Sequence, residues 1–222
     1  MNSKGLKSLG FVVIVLLLSA SPVFAGSGRF SVGALGGWAW HIADEAVGGF
    51  PETEFKNSPV YGGTVMYRFS NGFALELCIK HLEMDLEEAG ENFGTLKMTP
   101  LILFAKYQGM PVKGKGLTGH GDIGVGINFT SFDKGPFVKN LEITYGVNYS
   151  IDTDDSFIFE LGGGLDYFFT KRFSLYLDAR LMLGVVGTSW KVVGPGGAIP
   201  LTEIDEFEPS NIHVLLGARF WF

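Results

Sequence analysis

One cysteine, Cys78, is the whole thiol content of the chain, so no internal disulfide can form. A lipid anchor needs a cysteine directly after a cleavage point, and Cys78 lies far inside the chain. Beyond residue 25 no stretch of 18 residues is free of charge, which excludes transmembrane helices. Basic residues are few: 17 Lys and Arg against 23 Asp and Glu give a formal charge of −6. That balance argues against nucleic acid as a partner, because neutralising phosphates requires a basic surface. No Ser/Pro-rich linker divides the chain, so one domain is the default. Apolar residues are nonetheless plentiful, at 46%.

The N-terminus has its own character. Lys4 and Lys7 precede an apolar run from Leu9 to Leu18, followed by Ser-Ala-Ser-Pro and Val23-Phe24-Ala25. The run is too short to cross roughly 30 Å of hydrocarbon as a helix, and Val23 and Ala25 fit the small-residue cleavage rule. Residues 1–25 therefore read as a signal peptide and 26–222 as the folded domain. High apolar content without apolar runs fits an all-β transmembrane barrel, whose strands show lipid only every second side chain.

Alternation at period two locates the strands. At the C-terminus Ile212, Val214, Leu216, Ala218, Phe220 and Phe222 face one way, and His213, Leu215, Gly217, Arg219 and Trp221 the other. Between Phe173 and Val185 the apolar odd positions oppose Ser174, Tyr176, Asp178, Arg180 and Met182. Phe157 to Tyr167 opposes Glu160, Gly162, Gly164 and Asp166, and joins the next strand through Thr170-Lys171-Arg172. Ile123, Val125, Ile127 and Phe129 oppose Asp122, Gly124, Gly126 and Asn128. Tyr61 to Phe69 leads through Ser70-Asn71-Gly72, a tight-turn signal, into Phe73 to Lys80, whose second face holds Glu76, Cys78 and Lys80. Thr95 to Tyr107 is apolar on both faces, and Arg29 to His41 is Gly-rich and carries Trp38 and Trp40, suited to an interfacial girdle. The total is eight antiparallel strands, an even number that closes without an unpaired edge.

Connections predicted at 42–57, 84–94, 133–155 and 188–209 are long, and those at 70–72, 109–117 and 170–172 shorter. The long ones are acidic, with Asp44, Glu45, Glu52, Glu54, then Asp85, Glu87, Glu88, Glu91, then Glu203, Asp205, Glu206, Glu208. They should face outside, solvated or binding divalent ions together with lipopolysaccharide, while Lys113, Lys115, Lys171 and Arg172 mark the opposite end. This places the chain in the outer membrane of a Gram-negative-type bacterium with both termini periplasmic.

Glu76, Lys80, Asp122, Asn128, Glu160, Asp166, Asp178, Arg180, His213 and Arg219 all fall on inward parity and form the candidate site. Two readings stand. Arg180 and Arg219 pair with Glu160, Asp166 or Asp178 across neighbouring strands and fill an interior with just room for side chains. Alternatively the same groups line a polar passage or select a ligand.

Three segments carry a family resemblance: Met98-Thr99-Pro100-Leu101 with Tyr107; Gly124-Val125-Gly126-Ile127-Asn128-Phe129-Thr130; and Gly162-Gly163-Gly164-Leu165-Asp166-Tyr167 with Leu175-Tyr176-Leu177-Asp178-Ala179-Arg180. With them the chain resembles the OmpW family of eight-stranded outer-membrane proteins. The resemblance implies a barrel with a narrow, partly apolar lumen that passes small hydrophobic molecules sideways into the membrane. The tail Arg219-Phe220-Trp221-Phe222 resembles that of substrates of the barrel-assembly machinery, read through Phe222. The many lumen charges depart from the family pattern.

Other motifs lack their structural context. Gly119-His120-Gly121-Asp122-Ile123-Gly124 matches G-x-G-x-x-G but precedes a strand instead of opening a helix, so it makes no dinucleotide site. Gly109 to Gly116 has Gly116 where a phosphate loop needs Ser or Thr, and reads as a turn. His41, His81, His120 and His213 show no i, i+4 pair or Cys partner, so no metal site or other cofactor is expected. Asn128-Phe129-Thr130 forms a glycosylation sequon in mid-strand, where it has no meaning. Ser210 and His213 are the one nearby pair resembling the outer-rim Ser and His of lipid-modifying barrels, but their odd spacing turns them to opposite faces. The expectation is a non-enzymatic channel or receptor for small molecules, or else a structural or adhesion barrel with a plugged lumen.

Overall fold

A computed structural model describes residues 29–42, 53–88, 90–109, 111, 114–194, 197–207 and 210–222, with backbone alone at 53, 88 and 190–207. The expected signal peptide lies outside the described residues. The strands are β1 (Arg29–His41), β2 (Thr53–Phe55), β3 (Ser58–Arg68), β4 (Phe73–Glu88), β5 (Glu91–Gln108) and β6 (Gly116–Lys134), followed by helix α1 (Pro136–Tyr145). After it come β7 (Asn148–Thr153), β8 (Ser156–Thr170), β9 (Phe173–Gly184), β10 (Val186–Gly194), β11 (Gly197–Phe207) and β12 (Asn211–Trp221).

Eight of these close a barrel in the order β1-β3-β4-β5-β6-β8-β9-β12 and back to β1, every neighbour antiparallel. Closure leaves no barrel edge, which is what lets strands sit in lipid with all backbone groups paired. Among the described residues no helix is long and apolar enough to cross a membrane. Outward positions such as Leu75, Ile79, Leu103, Val125, Leu161 and Leu216 are about half exposed, and together they form an apolar band. At the end with tight turns an aromatic ring closes the band, with Phe73 against Tyr107 (6.0 Å between centroids) and Phe222 against Phe30 (5.7 Å). The Phe222 N–H also donates to the Phe30 carbonyl at 2.9 Å, fastening the chain end across the β1–β12 seam.

Four connections differ from the sequence reading, the first being 42–57, where β2 pairs with the end of β4. Residues 84–94 are not a long loop: β4 and β5 run on to the pair Glu88↔Glu91, beside which Gly90 takes φ +82°. The cause is persistent alternation, with Leu82, Met84 and Leu86 buried and Glu83 and Asp85 outward, so the acidic residues stand on a strand face. Strands β4, β5 and β6 contain 16, 18 and 19 residues, well beyond the roughly 10 that a tilted membrane strand needs. Residues 133–155 hold α1 and β7, and the region read as 188–209 holds β10 and β11, which pair with each other and, through β10, with β7 in a three-stranded sheet. Of the acidic residues predicted in loops, Asp44, Glu45, Glu52 and Glu208 lie outside the described residues.

Pro136 opens α1, and Gly146 at φ +62° closes it. The helix lies over the loop end of the barrel, with Val138 buried and Phe137 against Phe93 (6.1 Å between centroids). The G-x-G-x-x-G match lies wholly within β6 and opens no helix.

Candidate functional site in the barrel interior

The interior of an eight-stranded barrel is just wide enough to be filled by side chains or to hold one small ligand, so inward residues decide what the molecule can do. Their chemistry changes with depth. At the turn end Trp221 Nε1 donates to Ser174 Oγ (3.0 Å), and the Arg68 guanidinium lies over the Trp221 ring at 4.5 Å while Nη1 donates to Gln108 Oε1 (3.2 Å). Phe168, Met66 and Ala74 complete this layer.

Above it runs a belt of ions centred on Glu76. Its Oε2 accepts from Arg219 Nη2 at 2.7 Å and its Oε1 from Arg180 Nη2 at 3.1 Å. Arg219 Nη1 also donates to Asp166 Oδ1 at 2.8 Å, and Arg180 Nη2 to Asp178 Oδ2 at 2.7 Å. Lys106 Nζ stands 3.7 Å from Glu76 and 3.6 Å from Asp122. His120 Nδ1 is 2.6 Å from Asp166, and its Nε2 is 2.8 Å from Asp178. With carboxylates at both ring nitrogens, this is the setting of an imidazolium, which has two donors. Lys80 pairs with Glu160 and donates to His213 Nδ1 at 3.0 Å, which makes that nitrogen an acceptor and His213 neutral. Four cations (Lys80, Lys106, Arg180, Arg219) meet five carboxylates (Glu76, Asp122, Glu160, Asp166, Asp178), and a protonated His120 evens the count.

Glycines make this packing fit. Gly217 pairs across the ladder with Tyr176, Gly162 with Arg180, Gly164 with Asp178 and Gly33 with Arg219. A Cβ on Gly217 would sit 2.1 Å from the Tyr176 ring, which carries the Arg219 guanidinium 3.7 Å from its centroid. A large inward side chain therefore faces an empty position on the next strand.

Towards the loop end the interior turns apolar: Leu82, Met98, Ile102, Phe104, Ile158 and Met182 are buried in one cluster. This explains why β5 is apolar on both faces, since one face meets the band and the other this chamber. Beside it the β6–β8 ladder ends, although Thr130 still donates from Oγ1 to the Asp154 carbonyl (2.9 Å) and from its N–H to Asp155 Oδ1 (3.3 Å). The β6–β8 ladder stops at Asn128↔Ser156, whereas β5–β6 continues to Gly94↔Lys134. Beyond these bonds, between the end of β6, α1 and β7, lies an open cleft of about 540 Å³ lined by Phe132, Asp133, Lys134, Lys139, Asn148, Tyr149, Ser150 and Ile151. Phe132, Tyr149 and Ile151 pack against the chamber cluster. Lys134 Nζ donates to Glu142 Oε1 (2.6 Å) and to the Tyr149 carbonyl (2.8 Å), tying α1 to β7 at this cleft.

All ten candidate residues face inward, each 5% exposed or less. The structure brings nine of them into the belt, and Asn128 stands apart in the chamber wall. The pairing expected across neighbouring strands is instead mostly across the lumen. Arg219 on β12 reaches β8 and β4, because an eight-stranded barrel is narrow enough for an arginine to span. Sequence reading missed Lys106, His120, Gln108 and Arg68. Lys106 sits on the both-faces-apolar strand, and His120 lies N-terminal to the alternation read in β6, though two residues before inward Asp122. Among the described residues His120, Asp122 and Asp178 are the group whose spacing could hold a metal ion, but Arg180 and Lys106 already neutralise both carboxylates. Ser210 precedes β12, and its carbonyl accepts from the Ile42 N–H, while His213 is engaged by Lys80.

This closed antiparallel barrel with an apolar outer band matches the family model of the outer membrane protein beta-barrel domain over residues 11–220. The chain belongs to that family. No curated protein matches it. Among solved structures it is similar to outer membrane protein OprG from Pseudomonas aeruginosa, with TM-score 0.63 and 16% identity, covering 88% of this chain and 96% of that one. It is similar to outer membrane protein AlkL (TM-score 0.54, 17% identity, 88% and 90% covered) and to E. coli outer membrane protein W (0.53, 15%, 90% and 100%). These likenesses share the fold of a small outer-membrane barrel and agree with the OmpW-like resemblance of the strands.

Proposed function

We propose that this outer-membrane barrel admits small hydrophobic molecules into its apolar chamber from the loop end and releases them sideways into the bilayer where the β6–β8 ladder ends. The observation that carries this is the change of interior chemistry with depth. Below the chamber the belt charges are paired, Arg68 is held by Gln108 and the Trp221 ring, and the inward side chains are buried, so the axis offers no route, while beside the chamber the β6–β8 ladder ends. In this reading the turn end and both termini are periplasmic and the loop end faces outward, with its acidic strand faces among lipopolysaccharide and divalent ions. Phe222, exposed at the chain end, is the contact for the barrel-assembly machinery. A plugged barrel with a purely structural or adhesive role is the second reading, favoured by the same filled belt.

Two measurements separate them: uptake of a hydrophobic fluorescent dye by cells with an intact lipopolysaccharide leaflet, and ion conductance of the refolded chain in planar bilayers. Faster dye uptake on expression, with silent conductance, is the expected result. Discrete conductance steps would replace the lateral route by an axial pore, and no uptake with no conductance would leave the structural reading.

A further inference from the structure

Asn128 is the one candidate residue outside the belt, and the lateral route does not by itself use it. It is fully buried (0% exposed), yet neither its Oδ1 nor its Nδ2 has a hydrogen-bond partner. Its ladder partner towards β8 is Ser156, whose Oγ is likewise buried and without a partner. Towards β5 it faces Pro100, which has no N–H to offer. The inward residues around this pair, Met98, Ile102 and Ile158, are apolar. The pair is also the last rung of the β6–β8 ladder, two residues before the Thr130 bonds to Asp154 and Asp155.

A buried carboxamide with all its hydrogen-bonding capacity unused costs free energy, and native proteins leave such groups chiefly where a water or ligand completes them. We infer that Asn128 and Ser156 form the polar end of a binding site for a neutral amphiphile: an apolar chain lodged in the chamber, with one head group that both donates and accepts hydrogen bonds. The inference rests on the chamber being the entry site proposed above. A medium-chain alcohol, un-ionised acid or primary amide has this chemistry. A carboxamide can donate from Nδ2 and accept at Oδ1 in the same encounter, and Ser156 adds a hydroxyl that does either. No charged side chain stands across the ladder from the pair, so an ionised head group would lose its hydration without a counter-ion.

The test is an NMR titration of the full barrel in lipid nanodiscs with chain-matched 1-decanol, n-decane and decanoate. It follows the Asn128 side-chain NH2 signal, assigned by its loss in Asn128→Leu, and the methyls of Ile158 and Leu82. Decanol is expected to shift both the carboxamide and the methyls, decane the methyls alone, and decanol to half-saturate at a concentration roughly five- to tenfold lower, the value of one or two buried hydrogen bonds. In Asn128→Leu that preference should fall to about onefold while decane still binds, and Ser156→Ala, which disturbs packing less, should lower it partway. Equal binding of decanol and decane, a preference that survives both substitutions, or decanoate binding tightest would overturn the inference and leave the chamber intact. If no probe moved the chamber methyls, the apolar entry site would fall with it.

Discussion

Replacing Arg219 tests the belt most directly, because that side chain holds two carboxylates at once. It is 1% exposed, donates to Glu76 and Asp166 at 2.7 and 2.8 Å, and stacks on Tyr176 at 3.7 Å. Arg219→Met keeps most of the stem volume and removes the charge, leaving five carboxylates against three cations and His120. Breaking a buried pair from one side costs about 3–5 kcal/mol, because the orphaned partner stays buried and charged. Part of that loss is recoverable. In Arg219→Met/Glu76→Gln the surplus carboxylate is gone, Arg180 keeps Asp178 at 2.7 Å, and Asp166 keeps His120 at 2.6 Å. The two substitutions should therefore be non-additive, with a coupling of about 1–3 kcal/mol. Urea unfolding in lipid vesicles, followed by tryptophan fluorescence, reads each corner of the cycle. Three variants within about 0.5 kcal/mol of the parent, or strictly additive losses, would show that the belt is solvated instead of paired and would refute the filled-lumen reasoning.

Two further predictions concern packing and pH. Gly217→Ala places a Cβ 2.1 Å from the Tyr176 ring, which Arg219 pins on its other side, and should cost about 1–3 kcal/mol in the same unfolding assay. Gly63→Ala, whose Cβ would find its nearest neighbour, the Gly33 carbonyl, at 3.5 Å, should stay within about 0.5 kcal/mol, and equal effects at the two sites would contradict the opposed-glycine account. At the loop end the Lys134 ammonium, hydrogen-bonded to Glu142, holds that carboxyl below its ordinary value of 4.5, with a smaller contribution from the Tyr149 N–H. A carboxyl lowered by folding stabilises its contact above the unfolded value and loses it as pH falls through the folded one. Protease cleavage at the α1–β7 junction should thus be pH-independent from 7 down to about 4.5 and rise below it. Glu142→Gln should be cleaved readily throughout, and a parent that loosened between pH 7 and 5 would refute this role.

Period-two alternation determined the barrel from sequence alone. In a wall with lipid on one side and a narrow interior on the other, side-chain polarity has no freedom to drift from parity, so Glu76, Asp178 and Arg219 could be assigned to the inside before any pairing was known. The same rule counted β5 as a strand but could not tell its two faces apart, because Ile102 and Phe104 face a chamber as apolar as the band that Leu101 and Leu103 face, and Lys106 was lost with it. It also failed at residues 84–94, where alternation continued but acidic composition was read as loop. Tertiary structure decided everything that depends on which strands stand opposite across the lumen. That Glu76 on β4 meets both Arg180 on β9 and Arg219 on β12, that His120 closes the charge count, and that the β6–β8 ladder ends at Asn128↔Ser156 are facts of ring closure and register. A single strand's sequence states which side a residue faces, and only the closed ring states what it meets there.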